Sequence, residues 1–144
     1  MLITRPATKL THEGALFVLL EAMRAADAMS VPQCIAVVDE GCNLLAFLRM
    51  DGSRVLSVES ATCKAMTAAT TGQPSTQLDA SKALALAEAT SGKMTNLPGG
   101  LPLMVDGQVV GGIGVGSGTG DQDLAIAKAA VAAFERKLLE RSAT

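Results

Sequence analysis

Residues 97–123 read LPGGLPLMVDGQVVGGIGVGSGTGDQD and hold nine of the chain's fourteen glycines. Two apolar runs in this stretch, 101–105 and 108–115, are separated only by Asp106-Gly107. Asp-Gly between apolar runs favours a type I′ hairpin turn, because both central residues need positive φ, which Asp tolerates and Gly adopts freely. The stretch therefore predicts a β-hairpin that leads through a Gly/Ser/Thr loop into a long Ala-rich helix.

That last helix is predicted over residues 121–140, with an apolar stripe of Ala127, Ala130, Val131, Phe134 and Leu138. At the other end of the chain, Thr11 is a good N-cap for a helix that runs to about Met29. Its predicted stripe consists of Leu16, Leu19, Leu20, Met23 and Ala26. Phe17 and Val18 fall outside this stripe, and an extra apolar face of this kind predicts association with a second chain.

Between these helices, residues 34–39 and 44–50 are predicted to form a first hairpin. A helix is then predicted over 57–71, with Gly72 as its stop. A further helix is predicted over 76–90, with Asp79 placed for a box-like cap and Gly92 as its stop. The order α–ββ–αα–ββ–α predicts one α+β domain, residues 1–144, with a mainly antiparallel sheet. Tight turns between the strands exclude a doubly wound parallel fold.

The composition excludes several classes of function. The formal charge is −2, no basic cluster occurs, and three phenylalanines are the only aromatic residues. Nucleic-acid surfaces need cationic patches and often stacking rings, so we expect no nucleic-acid partner. No apolar run approaches the roughly 18–20 residues that span a bilayer, so we expect no membrane partner. An odd number of cysteines without a CxxC motif favours reduced thiols and a cytoplasmic location.

The glycine run does not match a nucleotide-binding motif. GxGxxG fails at each start, since Ser117, Thr119 or Asp121 stands where the last glycine is needed. The following helix also begins with Asp121 and Asp123, and their carboxylates would repel a phosphate.

The second strand of the glycine-rich hairpin has an unusual face. Val110 shares it with Gly112, Gly114 and Gly116, so three successive positions carry no side chain. Two explanations stay open: close packing of an Ala-rich helix, or a flat ligand lying on bare backbone.

Few side chains offer chemistry. His12 is the only imidazole, so it is either a surface residue beside a helix cap or a single axial ligand to haem iron. Lys64 stands among alanines, which favours a snorkelling surface lysine but also allows a partly desolvated one that holds an anionic group. Gly116-Ser117-Gly118 is too short for a nucleophile elbow, and no set of residues assigns a catalytic activity.

Several motifs together resemble the GlcG/HbpS family of small haem-binding or haem-degrading-type proteins, which includes the C-terminal domain of PduO-type proteins. The first group of motifs is Ala36-Val37-Val38-Asp39, Gly41, Leu44-Leu45-Ala46, Arg49-Met50-Asp51 and Lys64-Ala65. The second group is Pro98-Gly99-Gly100-Leu101-Pro102, Asp106-Gly107, Val110-Gly111-Gly112-Ile113-Gly114-Val115, Gln122-Asp123 and Ala127. The family usually has Ser-Gly after Ile-Gly-Val, whereas Gly116-Ser117 stands in swapped order here.

The resemblance implies a profilin-like, three-layer α/β/α fold, with helices on both faces of an antiparallel sheet built from two hairpins. It also implies a homo-oligomer, either a homodimer or a larger ring such as an octamer. For the site, it implies haem as a candidate cofactor with His12 as the metal ligand. The candidate groove is floored by Gly112, Gly114 and Gly116 and edged by Gly99 and Gly100, with Lys64 nearby.

Two functions stay open at this point. The first is a ligand-binding protein for haem or a related tetrapyrrole. The second is a non-enzymatic accessory protein of a metabolic operon (cobalamin-, glycerol/diol- or glycolate-linked) that binds a small anionic metabolite.

Overall fold

The computed structural model describes residues 1–143 and, within them, four α-helices and one four-stranded sheet. The helices are α1 (His12–Ala28), α2 (Ser57–Thr71), α3 (Ala83–Ala89) and α4 (Gly120–Ser142). The strands are β1 (Cys34–Asp39), β2 (Leu44–Arg49), β3 (Gly100–Val105) and β4 (Gln108–Gly116). Their order in the sheet is β2-β1-β4-β3, and every neighbouring pair is antiparallel. Two local hairpins therefore join along β1 and β4, and the predicted α+β fold is confirmed.

The helices cover both faces of the sheet, as predicted. α2 packs on one face through small residues, where Ala61, Ala65 and Ala69 meet Ala36 and Val38 of β1. α1 and α4 share the opposite face and contact each other as well as the strands. The larger apolar core lies on that side, between the two helices and the sheet. The two central strands, β1 and β4, are thus buried on both faces and form the middle layer of the fold.

The Asp106-Gly107 turn between β3 and β4 has the predicted geometry. Asp106 has φ 49° and Gly107 has φ 74°, which are the two positive values that a type I′ turn requires. Thr11 caps α1 as predicted, since its hydroxyl accepts a hydrogen bond from the Gly14 N–H at 3.0 Å.

The buried face of α1 differs from the predicted stripe. Val18 is fully buried, whereas Leu16 is 50% exposed. The buried residues are Ala15, Val18, Leu19, Ala22 and Ala26. The prediction was wrong here because it aligned the stripe on the largest apolar residues, while the helix turns its alanines toward the sheet and α4. The unpartnered apolar surface of α1 is therefore at Leu16.

The prediction of a helix over 76–90 was wrong for the first half of that range. A single 3₁₀ turn, Ser75–Gln77, is followed by extended backbone at Leu78. The Asp79 carboxylate accepts hydrogen bonds from both the N–H and the hydroxyl of Ser81, which stabilises a local turn in place of a helix. Only α3 is helical, and no residue of this short helix is buried within the described part of the chain.

Candidate functional site

The bare face of β4 is covered by α2. A Cβ atom at Gly114 would lie 1.9 Å from the Ala61 carbonyl oxygen, and one at Gly112 would lie 2.4 Å from the Ala65 oxygen. Cβ atoms do not approach backbone this closely, so glycine is required at both positions. Of the two explanations for this strand, close packing of an Ala-rich helix is the one that the structure shows. A ligand groove floored by these two glycines is excluded within the chain, because α2 fills the space.

The other predicted glycines also lie at close contacts. A Cβ at Gly99 would lie 2.5 Å from the Val115 oxygen, and one at Gly100 would lie 2.3 Å from the Lys64 oxygen. Gly116 is less crowded, since its nearest neighbour would be the Ser60 hydroxyl at 3.2 Å. These contacts give each glycine a packing role, and a cofactor contact at any of them stays a prediction.

Lys64 is buried and forms an ion pair inside the chain. Its Nζ donates to Asp123 Oδ2 at 3.0 Å and to the Val115 carbonyl at 2.9 Å. The two side chains are 5% and 4% exposed. The preferred interpretation as a surface lysine was therefore wrong. The desolvated lysine with an anionic partner is what the structure contains, and that partner is the carboxylate in the first turn of α4.

The loop before α4 is held by hydrogen bonds from several elements. The Gly118 N–H donates to Asp123 Oδ1 at 3.0 Å and to Gln33 Oε1 at 3.1 Å. Ser117, which has φ 101°, accepts a hydrogen bond from the Arg54 N–H at 2.8 Å. The hydroxyl of the swapped Gly116-Ser117 pair is thus engaged in fixing the start of α2 to this loop.

A capping box begins α4 and was missed in the sequence. Thr119 Oγ1 accepts from the Gln122 N–H at 3.2 Å, and Gln122 Oε1 accepts from the Thr119 N–H at 2.9 Å. The spacing Thr-x-x-Gln before an apolar run was the signal that could have located this boundary.

A groove of about 670 Å³ opens between the entry to α1, the β3–β4 hairpin and the C-terminal half of α4. Its volume is in the range of small-molecule sites. The apolar lining residues are Leu10, Phe17, Val105, Val110, Phe134 and Leu138. Sequence reasoning did not find this groove because its residues come from three distant segments, each of which looks like ordinary helix or strand.

Charged residues accompany the apolar lining. Lys9, Glu13, Lys137, Glu140 and Arg141 all line the groove. Lys137 Nζ lies 3.4 Å from Glu140 Oε2 and 6.0 Å from the centre of the Phe17 ring. Lys9 forms an ion pair with Glu40, which lies outside the groove. The groove thus combines an apolar surface with three cations and two carboxylates.

His12 lies beside this groove and apart from the other predicted site residues. It is the exposed first residue of α1, and both of its neighbours, Thr11 and Glu13, line the groove, although His12 itself does not. Lys64 is on α2, at the opposite face of the sheet from α1. The structure therefore does not bring His12 together with Lys64 and the glycines.

Two of the three cysteine thiols have a pKa shifted away from the reactive form. Within residues 1–143, Cys34, Cys42 and Cys63 are free, and Cys34 is buried. Burial raises the pKa of the Cys42 and Cys63 thiols above the ordinary value, which disfavours the reactive thiolate at neutral pH. Over the same residues, no three His, Cys, Asp or Glu side chains lie close enough together to hold a metal ion.

Comparison with known proteins identifies the family. The family model described as "Haem degrading protein HbpS-like" matches residues 10–132, which is most of the chain. The chain belongs to the HbpS-like family.

Two curated relatives of this HbpS-like chain come from Citrobacter freundii. An uncharacterised 15.0 kDa protein from the dhaT-dhaS intergenic region is 33% identical over 111 residues, covering 74% of this chain and 78% of that protein. The corrinoid adenosyltransferase PduO is 30% identical over 134 residues, covering 90% of this chain. The chain spans only 40% of the length of PduO.

Solved structures agree with this assignment. A double mutant of HbpS from Streptomyces reticuli is 34% identical, with a TM-score of 0.81 over 90% of each chain. A complex of PduOC with heme is 27% identical, with a TM-score of 0.80 over 88% of this chain and 95% of that one. In the described residues of this HbpS-like chain, no helix is both long and apolar enough to cross a membrane.

Proposed function

We propose that this HbpS-like protein binds haem or a related tetrapyrrole, with the macrocycle in the 670 Å³ groove and His12 as the axial ligand. The observation that carries the proposal is the pairing of an apolar groove with an imidazole one residue away from its lining. The heme complex of PduOC, a structural relative, supports the same ligand class.

The residues at the groove fit the chemistry of haem. A macrocycle needs apolar contacts, which Leu10, Phe17 and Phe134 supply in the groove lining. Haem iron can be held by a single protein ligand, and the exposed His12 imidazole at the start of α1 can provide it. When bound, haem would supply iron-centred ligand or redox chemistry, and the role of this chain is to hold and orient it.

Titration with haem tests the proposal. We expect a saturable Soret shift at micromolar haem with one haem per chain, lost or strongly weakened in His12→Ala. Lys128→Ala provides the control, because Lys128 is an exposed α4 residue that does not line the groove. Unsaturable binding, or binding that His12→Ala leaves unchanged, would refute the proposal.

We also propose that the protein is a cytoplasmic homo-oligomer, a homodimer or a larger ring such as an octamer. Leu16 is 50% exposed on α1, and we assign this apolar residue to contact with a second copy. The cytoplasmic location is supported by the three free thiols found within residues 1–143.

A further inference from the structure

We infer that the groove positions its ligand by charge, with a carboxylate of the ligand lying against Lys137 near the C-terminal end of α4. This inference rests on the proposed function and specifies which side chain selects an acidic tetrapyrrole over an uncharged one. It concerns a specificity-determining residue, which the haem titration with His12→Ala does not test.

The apolar and the charged residues that α4 contributes to the groove form two neighbouring rows along the helix. Phe134 and Leu138 lie one turn apart on one side of the helix and belong to the apolar lining. Lys137 and Arg141 are likewise spaced i, i+4 and form a second row about 60° around the helix from the first. A ligand with an apolar body and an acidic edge would match both rows in one orientation.

Lys137 supplies the positive charge for a ligand carboxylate at this end, against the helix dipole. The C-terminal end of a helix carries partial negative charge, which by itself disfavours a carboxylate there. Lys9 is already paired with Glu40, so Lys137 and Arg141 stand against Glu13 and Glu140 without an excess of positive charge. What the site offers a ligand carboxylate is the full positive charge of Lys137. A full charge at contact distance outweighs the partial charge of the helix end.

Lys137 is available because its present partner holds it weakly. Its ion pair with Glu140 has a 3.4 Å separation, and the two side chains are 64% and 69% exposed. Exposed pairs of this kind contribute little, so a ligand carboxylate can replace Glu140 at little cost. The Phe17 ring, 6.0 Å from Lys137 Nζ, keeps the ammonium close to the apolar wall. Glu140 is thus a competitor for the same cation, and removing its charge should strengthen ligand binding.

Two ligands and three variants test this inference. The ligands are haem and the iron complex of protoporphyrin dimethyl ester, which has the same ring without carboxylates. We expect Lys137→Met to weaken haem binding by about three- to ten-fold and to leave binding of the ester unchanged. Glu140→Gln should tighten haem binding by about two- to three-fold, again without an effect on the ester. Lys128→Met, which removes the same charge from an exposed α4 residue outside the groove, is the matched control.

The outcomes separate this inference from the proposed function. If wild type binds haem saturably but Lys137→Met affects haem and its ester equally, the charge selection is wrong while haem binding stands. The same conclusion follows if Lys128→Met weakens haem binding as much as Lys137→Met does. If wild type binds neither ligand saturably, the proposed function fails and this inference fails with it. Since Lys137 is exposed, circular dichroism should show an intact fold in its variant.

Discussion

The Lys64 ammonium lies 3.0 Å from Asp123 Oδ2, and this buried contact joins helices that pack on opposite faces of the sheet. The same ammonium donates to the Val115 carbonyl near the end of β4, so one side chain connects all three layers. The other carboxylate oxygen of Asp123 accepts a hydrogen bond from the Gly118 N–H. Lys64 and Asp123 therefore have hydrogen-bond partners within the chain and need no ligand. The ion pair therefore connects α2, β4 and α4 and has a structural role.

Lys64→Met should destabilise the protein by about 3–5 kcal/mol, because it leaves the Asp123 carboxylate buried without its counter-charge. The free energy of unfolding in a urea titration measures this loss. Lys128→Met serves as the control, since that lysine is exposed, and it should change stability by less than about 0.5 kcal/mol.

The double variant Lys64→Met/Asp123→Leu should recover much of the lost stability, because it removes both buried charges at once. If Lys64→Met lowers the free energy of unfolding by less than about 1 kcal/mol, the ion pair does not stabilise the contact of α2, β4 and α4.

Gly114→Ala should destabilise the protein by about 1–3 kcal/mol or more, because the new methyl group meets the Ala61 oxygen, and α2 must move off the sheet. Gly116→Ala is the matched substitution on the same strand face, where the nearest contact is a side-chain hydroxyl at 3.2 Å. It should cost clearly less in the same urea titration. Equal losses for the two variants would show that contact with α2 does not decide the requirement for glycine.

Leu16→Gln should shift the protein toward monomer without loss of folding, because the exposed half of this side chain is the surface that we assign to self-association. Sedimentation velocity at micromolar protein measures the change in mass. Leu139→Gln is the control, since Leu139 is 71% exposed on α4. A wild-type protein that sediments as a monomer would contradict the assignment.

Local sequence signals predicted most of the fold. Asp106-Gly107 and Thr11 act through turn and cap chemistry that depends only on nearby residues, and both are confirmed. The prediction of a helix over 76–90 failed because the Asp79 side chain accepts a hydrogen bond from the Ser81 N–H and so stabilises a turn. Helical periodicity does not reveal this local competition.

The candidate site was harder to predict because it depends on distant contacts. The burial of Lys64 requires Asp123, which is 59 residues away in sequence. The bare face of β4 indicated a close neighbour correctly, but periodicity alone could not distinguish a helix from a ligand. The groove beside His12 exists only once α4 returns across the entry to α1.

Ser75 joins the two ends of the segment that carries α3. Ser75 Oγ donates to the Leu97 carbonyl at 2.6 Å and accepts from the Gly100 N–H at 3.0 Å. The register of β3 is set by its hairpin with β4, so it does not depend on the length of the segment that carries α3, a helix with no buried residue in the described structure. Gly92 and Thr95 are hydrogen-bonded to Cys63 and Thr67 of α2. Residues 78–91 are thus the place where the chain can gain or lose residues, or accept an inserted module, while the sheet and its helices stay unchanged.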